Sequence, residues 1–216
     1  MLSSIKSGNL YHIHVSSDCK SFGSTQNLNG TTRTREKPQG DGSVPSEVEG
    51  NENFALALWI ILMCMYYGVY FSFEHPRQSR ALLFLAMVWI IAQEGVWKVD
   101  FDDCAWGKRP SDWNPLQGDL RTFGPSMLIT NNRSLSILQR GHGEVDPHEH
   151  ETVLGQSRGG TDRSKDKAEY PRAFCEEFAR SLRNGWLTKD RGVPNSDVPF
   201  VWLSDLVSNP NCSRES

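Results

Sequence analysis

The sequence predicts an α/β protein: a partial doubly wound fold with a parallel sheet of about four strands and long polar loops. Three observations carry this. Short runs rich in β-branched and aromatic residues, at 10–16, 69–73, 96–101 and 126–130, alternate with helix-length apolar segments. Only about four such runs are present, so the sheet reads as the second half of a doubly wound fold. Between them, 17–50 and 141–166 are polar, rich in Gly and Ser or in charge, and lack apolar periodicity.

In order along the chain, residues 1–9 make an irregular start. The alternation His12-Ile13-His14-Val15-Ser16 predicts a strand over 10–16. That strand runs out before Cys19, and 17–50 follows as one long polar loop. A loop of that length inside a domain is either functional or disordered. Asn51 or Asn53 offers a side-chain oxygen to cap a helix that continues to about Tyr67. Gly68 then divides the apolar run Phe54–Phe73, so that 69–73 becomes a strand suited to a central, two-sided position. Gln78–Gln93 reads as a helix closed by Gly95, and Val96–Phe101 as an alternating strand. Residues 102–125, with Trp106, Pro110, Trp113 and Pro115, form a loop. A short strand at 126–130 precedes a helix to Gln139, capped by Asn131 or Asn132. After the irregular stretch 141–166, Phe174, Phe178 and Leu182 recur at helical spacing and predict a final helix over 171–184. The segments to 185 make one domain; 186–216 is a loosely ordered tail in which 198–206 can pack back. No internal repeat is present.

Composition bounds the function. The net charge of −3 gives no global basic footprint for nucleic acid. Arg33, Arg35, Lys37, Lys108, Arg109, Arg121 and Arg133 all fall in predicted loops, so a local basic surface is one reading and solvated loop charge the other. Five widely separated cysteines without paired spacing fit a reducing, intracellular compartment better than a disulfide framework. No apolar region follows a basic start in residues 1–15, so no signal peptide is expected. Phe54–Phe73 is uncharged and long enough to span a bilayer. A membrane-associated protein anchored by 54–73 is therefore an alternative, against which stand Gly68 and the charged Glu74-His75-Pro76-Arg77 that follows.

Cys19 and Glu74 stand at or just past the carboxyl ends of two predicted strands, where open α/β sheets bind ligands and do chemistry. They read as a nucleophile and its acidic partner; a small buried thiol and a helix-capping carboxylate are the structural alternatives. Asp18 disfavours the thiolate and Lys20 partly offsets it. His142, His148 and His150 lie beside Glu144, Asp146, Glu149 and Glu151 with no cysteine nearby in sequence to complete a zinc set. A solvated acidic loop is the expectation there, and no metal is expected. His12 and His14 share one strand face, where packing or hydrogen bonding is expected. Cys104 and Cys175 read as core or near-core thiols, and Cys64 as structural.

Taken in order, five segments form a pattern: Asp18-Cys19-Lys20-Ser21-Phe22, Glu74-His75-Pro76-Arg77-Gln78-Ser79, Asp103-Cys104-Ala105-Trp106-Gly107, Arg121-Thr122 and Thr130-Asn131. Over roughly residues 10–185 this resembles the target-base half of cytosine-5 DNA methyltransferases, most of all their divergent mobile-element and phage-like members. The resemblance implies a Rossmann-like methyltransferase sheet, DNA as partner and S-adenosylmethionine as methyl donor. It casts Cys19 as the nucleophile on carbon 6 of a flipped-out cytosine and Glu74 as the base-binding acid. It also casts Arg121, Thr122, Arg33 and Arg35 as base or phosphate contacts, and 17–50 as a mobile loop that closes over the base. Asp18 stands where the family carries proline, and His75 where it carries asparagine. No Gly-rich turn follows a strand in residues 1–18, so the cofactor-binding half is expected to be missing, in a truncated copy or with that half on another chain. A non-catalytic nucleic-acid-binding remnant, marked by salt-dependent affinity without methyl transfer, is the second reading. A Cys19 hydrolase lacks any elbow motif.

Overall fold

Gly68 decides how the apolar centre of the chain is divided. In the computed structural model, which describes residues 2–23, 30–151, 169–188 and 191–198, Gly68 adopts φ 68° and ψ 29°. Its N–H reaches the carbonyls of Cys64 and Met65, closing a helix with the left-handed cap that glycine takes without strain. A side chain there would also run into the carbonyl of Gly192, 2.7 Å from where a Cβ would sit. The chain turns at this point from helix into strand, as the sequence predicts.

The elements run α1 (Leu2–Lys6), β1 (His12–Ser16), α2 (Pro45–Tyr67), β2 (Tyr70–Pro76), α3 (Leu85–Ile91), β3 (Trp97–Asp102), β4 (Leu120–Arg121), β5 (Pro125–Thr130), β6 (Glu149–His150) and α4 (Arg172–Leu187). Helix α2 starts earlier than the asparagine caps predict, because Pro45 sits in its first turn, where a missing N–H costs nothing. The helix expected over 78–93 forms only in part. Ser79 caps a 3-10 turn, Arg80–Leu83, and Phe84 then turns extended (φ −63°, ψ 137°) before α3 begins. That break drops the Phe84 ring onto Phe54, 5.0 Å between centroids, and near Phe22. The helix expected before Gln139 is a 3-10 turn, Arg133–Leu138, capped by Asn132.

Four strands make the main sheet in the order β1-β2-β5-β3. The α/β class stands, but the all-parallel sheet does not. β1 and β2 are parallel, while β5 runs antiparallel to both β2 and β3. The cause lies in the connection from β3 to β5, which contains two 3-10 turns but no α-helix to carry the chain back along the sheet. The chain instead re-enters from the end at which β3 left it, and so must run the other way. Thr130 and Asn131 fasten this inserted strand: the Thr130 hydroxyl donates to the carbonyl of Phe71, and Asn131 Oδ1 accepts from the Phe71 N–H at 2.7 Å.

Apolar side chains fill both faces. α2 and α3 cover one, where Phe54, Leu58, Ile61, Phe71, Phe73 and Ile129 are buried. The 3-10 turn 133–138 and α4 cover the other, over Val99, Phe101, Leu128 and Phe174. Leu128 and Ile129 are neighbours in β5 and serve opposite faces, as strand pleating requires. Helix α2 is long and apolar enough to cross a membrane by length and composition, and most of its apolar window is buried in the fold. The last four residues of the run 54–73 belong to β2, a sheet strand between β1 and β5. β1 lies at the sheet edge, with no described strand on its outer side. Part of the tail is tied down: Asn195 N–H donates to the carbonyl of Met65 and Arg191 reaches the carbonyls of Gly8 and Leu10. Residues 24–29, 152–168 and 199–216, including most of the irregular stretch and of 198–206, lie outside the described residues.

Candidate functional site

The parallel register sets Ser16 of β1 opposite Glu74 of β2, and Cys19, three residues past Ser16, feels the charge of Glu74. Cys19 caps the 3-10 turn Lys20–Phe22, whose Phe22 side chain is buried in the core. The thiol reaches the surface. Surrounding protein, then the neighbouring charges of Glu74 and Asp18, push it above the ordinary thiol range. The Glu74 carboxyl is likewise pushed up, first by burial, against hydrogen bonds from Ser126 and Tyr170 that pull it down. Two groups that each resist ionisation thus share one strand end.

A chain of polar groups lies behind Glu74. His12 Nε2 and His14 Nδ1 each stand 2.8 Å from Ser72 Oγ, His14 Nε2 stands 3.4 Å from the Tyr170 hydroxyl, and that hydroxyl donates to Glu74 Oε2 at 3.0 Å. One assignment of hydrogens satisfies every link: His12 Nε2–H to Ser72, Ser72 to His14 Nδ1, His14 Nε2–H to Tyr170, Tyr170 to Glu74. Burial, with His14 adding to it, lowers His12 to about 3, which keeps it the neutral ring this chain requires. The shared face of His12 and His14 is therefore a polar support under Glu74. Tyr170 escapes sequence reading; its only signal is an aromatic just ahead of the proline that opens α4. Lys108, read from the sequence as one of the loop cations, also stands here. Its ammonium pairs with Asp103 at 3.2 Å, both side chains buried, and both act on the charge of Glu74.

The other residues named by sequence separate into different places. Thr122 is buried and its N–H donates to the carbonyl of Lys108 at 3.0 Å. Arg121 makes a two-pronged pair with Asp119, at 3.0 and 2.6 Å, and donates to the carbonyl of Cys104 at 2.9 Å. Arg35 is exposed. Arg33 is 2 % exposed and faces the protein: it donates to the carbonyls of Pro38 and Glu47, to Asn51 Oδ1 and to Ser21 Oγ. The described segment 30–44 of the expected mobile loop is accordingly pinned to α2 and to the turn after Cys19, and the rest of the range to 50 belongs to α2 itself.

A second cluster forms at the far end of β3. Cys104, in a 3-10 turn closed by Gly107 at φ 77°, meets His142, His148 and His150, and one ligand atom from each lies within 4.8 Å of the others. Cys104 Sγ is 3.8 Å from His142 Nδ1, and the Nε2 atoms of His148 and His150 are 3.1 Å apart. Burial and Asp102 push the Cys104 thiol up to about 11, while burial and its histidine neighbours lower His150. An open cleft of about 650 Å³ adjoins the cluster, with Trp106, Arg121, Arg140, Glu144 and Asp146 in its walls. The histidines expected to be solvated loop groups, and the cysteine expected to be a core thiol, are thus gathered at one point.

No family model, curated protein or solved structure matches the chain. What the two clusters do is read from their own atoms.

Proposed function

We propose that the ends of β1 and β2 form the nucleobase site of a cytosine-5 DNA methyltransferase-like protein, with Cys19 as nucleophile and Glu74 as base-binding acid. The observation that carries this is the parallel β1–β2 register, which sets Ser16 opposite Glu74 and leaves an exposed thiol within the electrostatic reach of a half-buried carboxyl at the ligand-binding end of the sheet. A carboxyl that resists ionisation donates its proton to ring nitrogen 3 of cytosine and accepts from the 4-amino group. Once neutral and occupied, Glu74 no longer raises the thiol beside it. The exposed Cys19 thiol gives its proton to solvent, and the thiolate adds to carbon 6, forming a carbon–sulfur bond as the proton passes from Glu74 to nitrogen 3 and carbon 5 becomes the nucleophilic centre. Tyr170 holds Glu74 in place through the hydrogen bond above.

The residues described do not fit S-adenosylmethionine: none of their strands passes directly through a Gly-rich turn into a helix. A methyl donor would therefore sit on polypeptide outside them, and the chemistry of the described residues stops at the activated base. The raised thiol favours a second reading, a nucleobase-binding module without catalysis.

Binding tests the base site. Against duplexes carrying one unpaired base, the protein is expected to prefer unpaired cytosine over unpaired thymine about tenfold, the discrimination of one good two-pronged base contact. Glu74→Ala should erase that preference and Glu74→Gln, whose amide keeps one donor and one acceptor, should retain it. Equal affinity for the two duplexes, with the wild-type chain folded, would overturn the assignment.

A further inference from the structure

We infer that Cys104, His142, His148 and His150 hold one zinc ion, which fastens the 142–150 segment to the end of β3. This does not depend on the nucleobase reading. The first support is distance. Zinc bonds of about 2.0–2.1 Å to nitrogen and 2.3 Å to sulfur, set tetrahedrally, place ligand nitrogens about 3.3 Å apart and nitrogen from sulfur about 3.6 Å apart. The 3.1 Å between the histidine nitrogens and the 3.8 Å between Cys104 Sγ and His142 Nδ1 bracket those values.

The second support is orientation. His148 Nδ1 lies 2.8 Å from the carbonyl oxygen of Asp146, which only accepts, so Nδ1 carries the hydrogen. In the neutral ring Nε2 then presents a lone pair, and it is this atom that faces His150. A metal-bound histidine anchored through its other nitrogen to a carbonyl is the usual outer support of such sites. A plain hydrogen bond between the two rings would account for one of these contacts. It would not bring His142 and a buried thiol to the same point.

The third support is that each ligand is held from outside the cluster. The His142 N–H donates to Asp102 Oδ2 at 2.8 Å. β6 pairs with β4 in the register Arg121↔His150, and Glu151 N–H reaches the carbonyl of Arg121 at 2.9 Å, which fixes His150. The Asp103–Trp106 turn fixes Cys104. With four protein ligands the coordination is closed, so the ion is structural rather than catalytic. Mixed sulfur and imidazole donors in a tetrahedron select zinc over magnesium or calcium.

The full chain, freed of metal and titrated with zinc, is expected to take up one equivalent at micromolar or tighter affinity and to melt at higher temperature. Cobalt in its place should show the intense visible bands of a tetrahedral site together with a sulfur-to-metal band in the near ultraviolet. His150→Ala changes an exposed side chain and His148→Ala a half-buried one; both should keep the fold while losing the equivalent of metal, and Cys104→Ser should remove the sulfur band. Failure of the folded wild-type chain to bind stoichiometric zinc overturns the inference. So does a cobalt spectrum that the histidine variants and Cys104→Ser leave unchanged.

Discussion

Replacing Arg33 with methionine is expected to cost the domain about 3–5 kcal/mol, the usual penalty for removing one partner from a buried charged network. The size follows from what the guanidinium does. Nη1 donates to the carbonyl of Pro38 at 2.6 Å and to Asn51 Oδ1 at 2.8 Å, and Nη2 donates to the carbonyl of Glu47 at 2.9 Å and to Ser21 Oγ at 3.1 Å. Its flat face lies 4.0 Å from the centre of the Phe22 ring. Methionine would fill much of the space and leave those buried acceptors without donors. Lysine fares little better, since one ammonium cannot reach acceptors spread around a planar fork. Glu47 holds the same loop from the other side through the N–H and hydroxyl of Thr32 and the hydroxyl of Thr31. Urea unfolding of Arg33→Met and Arg33→Lys checks this. A loss below about 1 kcal/mol, the range of ordinary surface substitutions, would show that the loop is not anchored as described.

Acid is expected to destabilise the protein through His75. This ring is 1 % exposed, neither of its nitrogens has a hydrogen-bond partner, and it stacks on Phe73 with Phe22 and Phe54 at its edges. Burial lowers its pKa from 6.5 to about 4, with only Asp18 opposing. Because the folded pKa lies below the unfolded one, the unfolded chain takes up the proton first. The stability this neutral ring contributes is complete above about pH 6.5 and is lost as pH falls toward 4, by about 3 kcal/mol at 1.36 kcal/mol per pH unit. His12, lowered to about 3, adds a loss of the same sign. Glu74 acts the other way: its raised pKa means that it recovers stability as acid protonates it in the fold. His75→Leu, an apolar side chain of similar volume, should flatten the acid limb and raise stability at pH 7 by about 1–2 kcal/mol, since an orphaned polar group is removed. Urea midpoints for both proteins between pH 7.5 and 4 decide it. Parallel pH profiles would contradict the role given to His75.

Much of this architecture is legible in the residues. Gly68 marks the helix-to-strand turn because only glycine takes that cap cheaply, and the strand ends read at Ser16 and Phe73 place Cys19 and Glu74 at one end of the sheet. The direction of β5 is not legible, because an alternating run reads the same both ways and only the missing crossover helix reverses it. Arg33 looks like one more loop charge, since its partners are mostly backbone carbonyls that carry no sequence signature. The Cys104 cluster is hidden by distance: its cysteine lies 38 residues before His142, and the Phe101–Arg140 bridge with the His142 N–H bond to Asp102 brings them together. Tyr170 is hidden for the same reason, 96 residues from the carboxyl it holds.

The nucleobase site is tested most directly by hydrogen exchange at carbon 5 of cytosine, which needs no methyl donor. Addition of Cys19 at carbon 6 makes carbon 5 take up a proton from solvent. Loss of the original hydrogen and expulsion of the thiolate then return cytosine unchanged but labelled. In heavy water, an oligonucleotide with one unpaired cytosine is expected to gain deuterium at that position with the wild-type protein, faster as pH rises because the thiol resists ionisation. Cys19→Ser should abolish the exchange, and Glu74→Gln should abolish it while keeping the preference for cytosine. No exchange above the protein-free rate, from a folded protein that binds the oligonucleotide, would contradict Cys19 as a nucleophile.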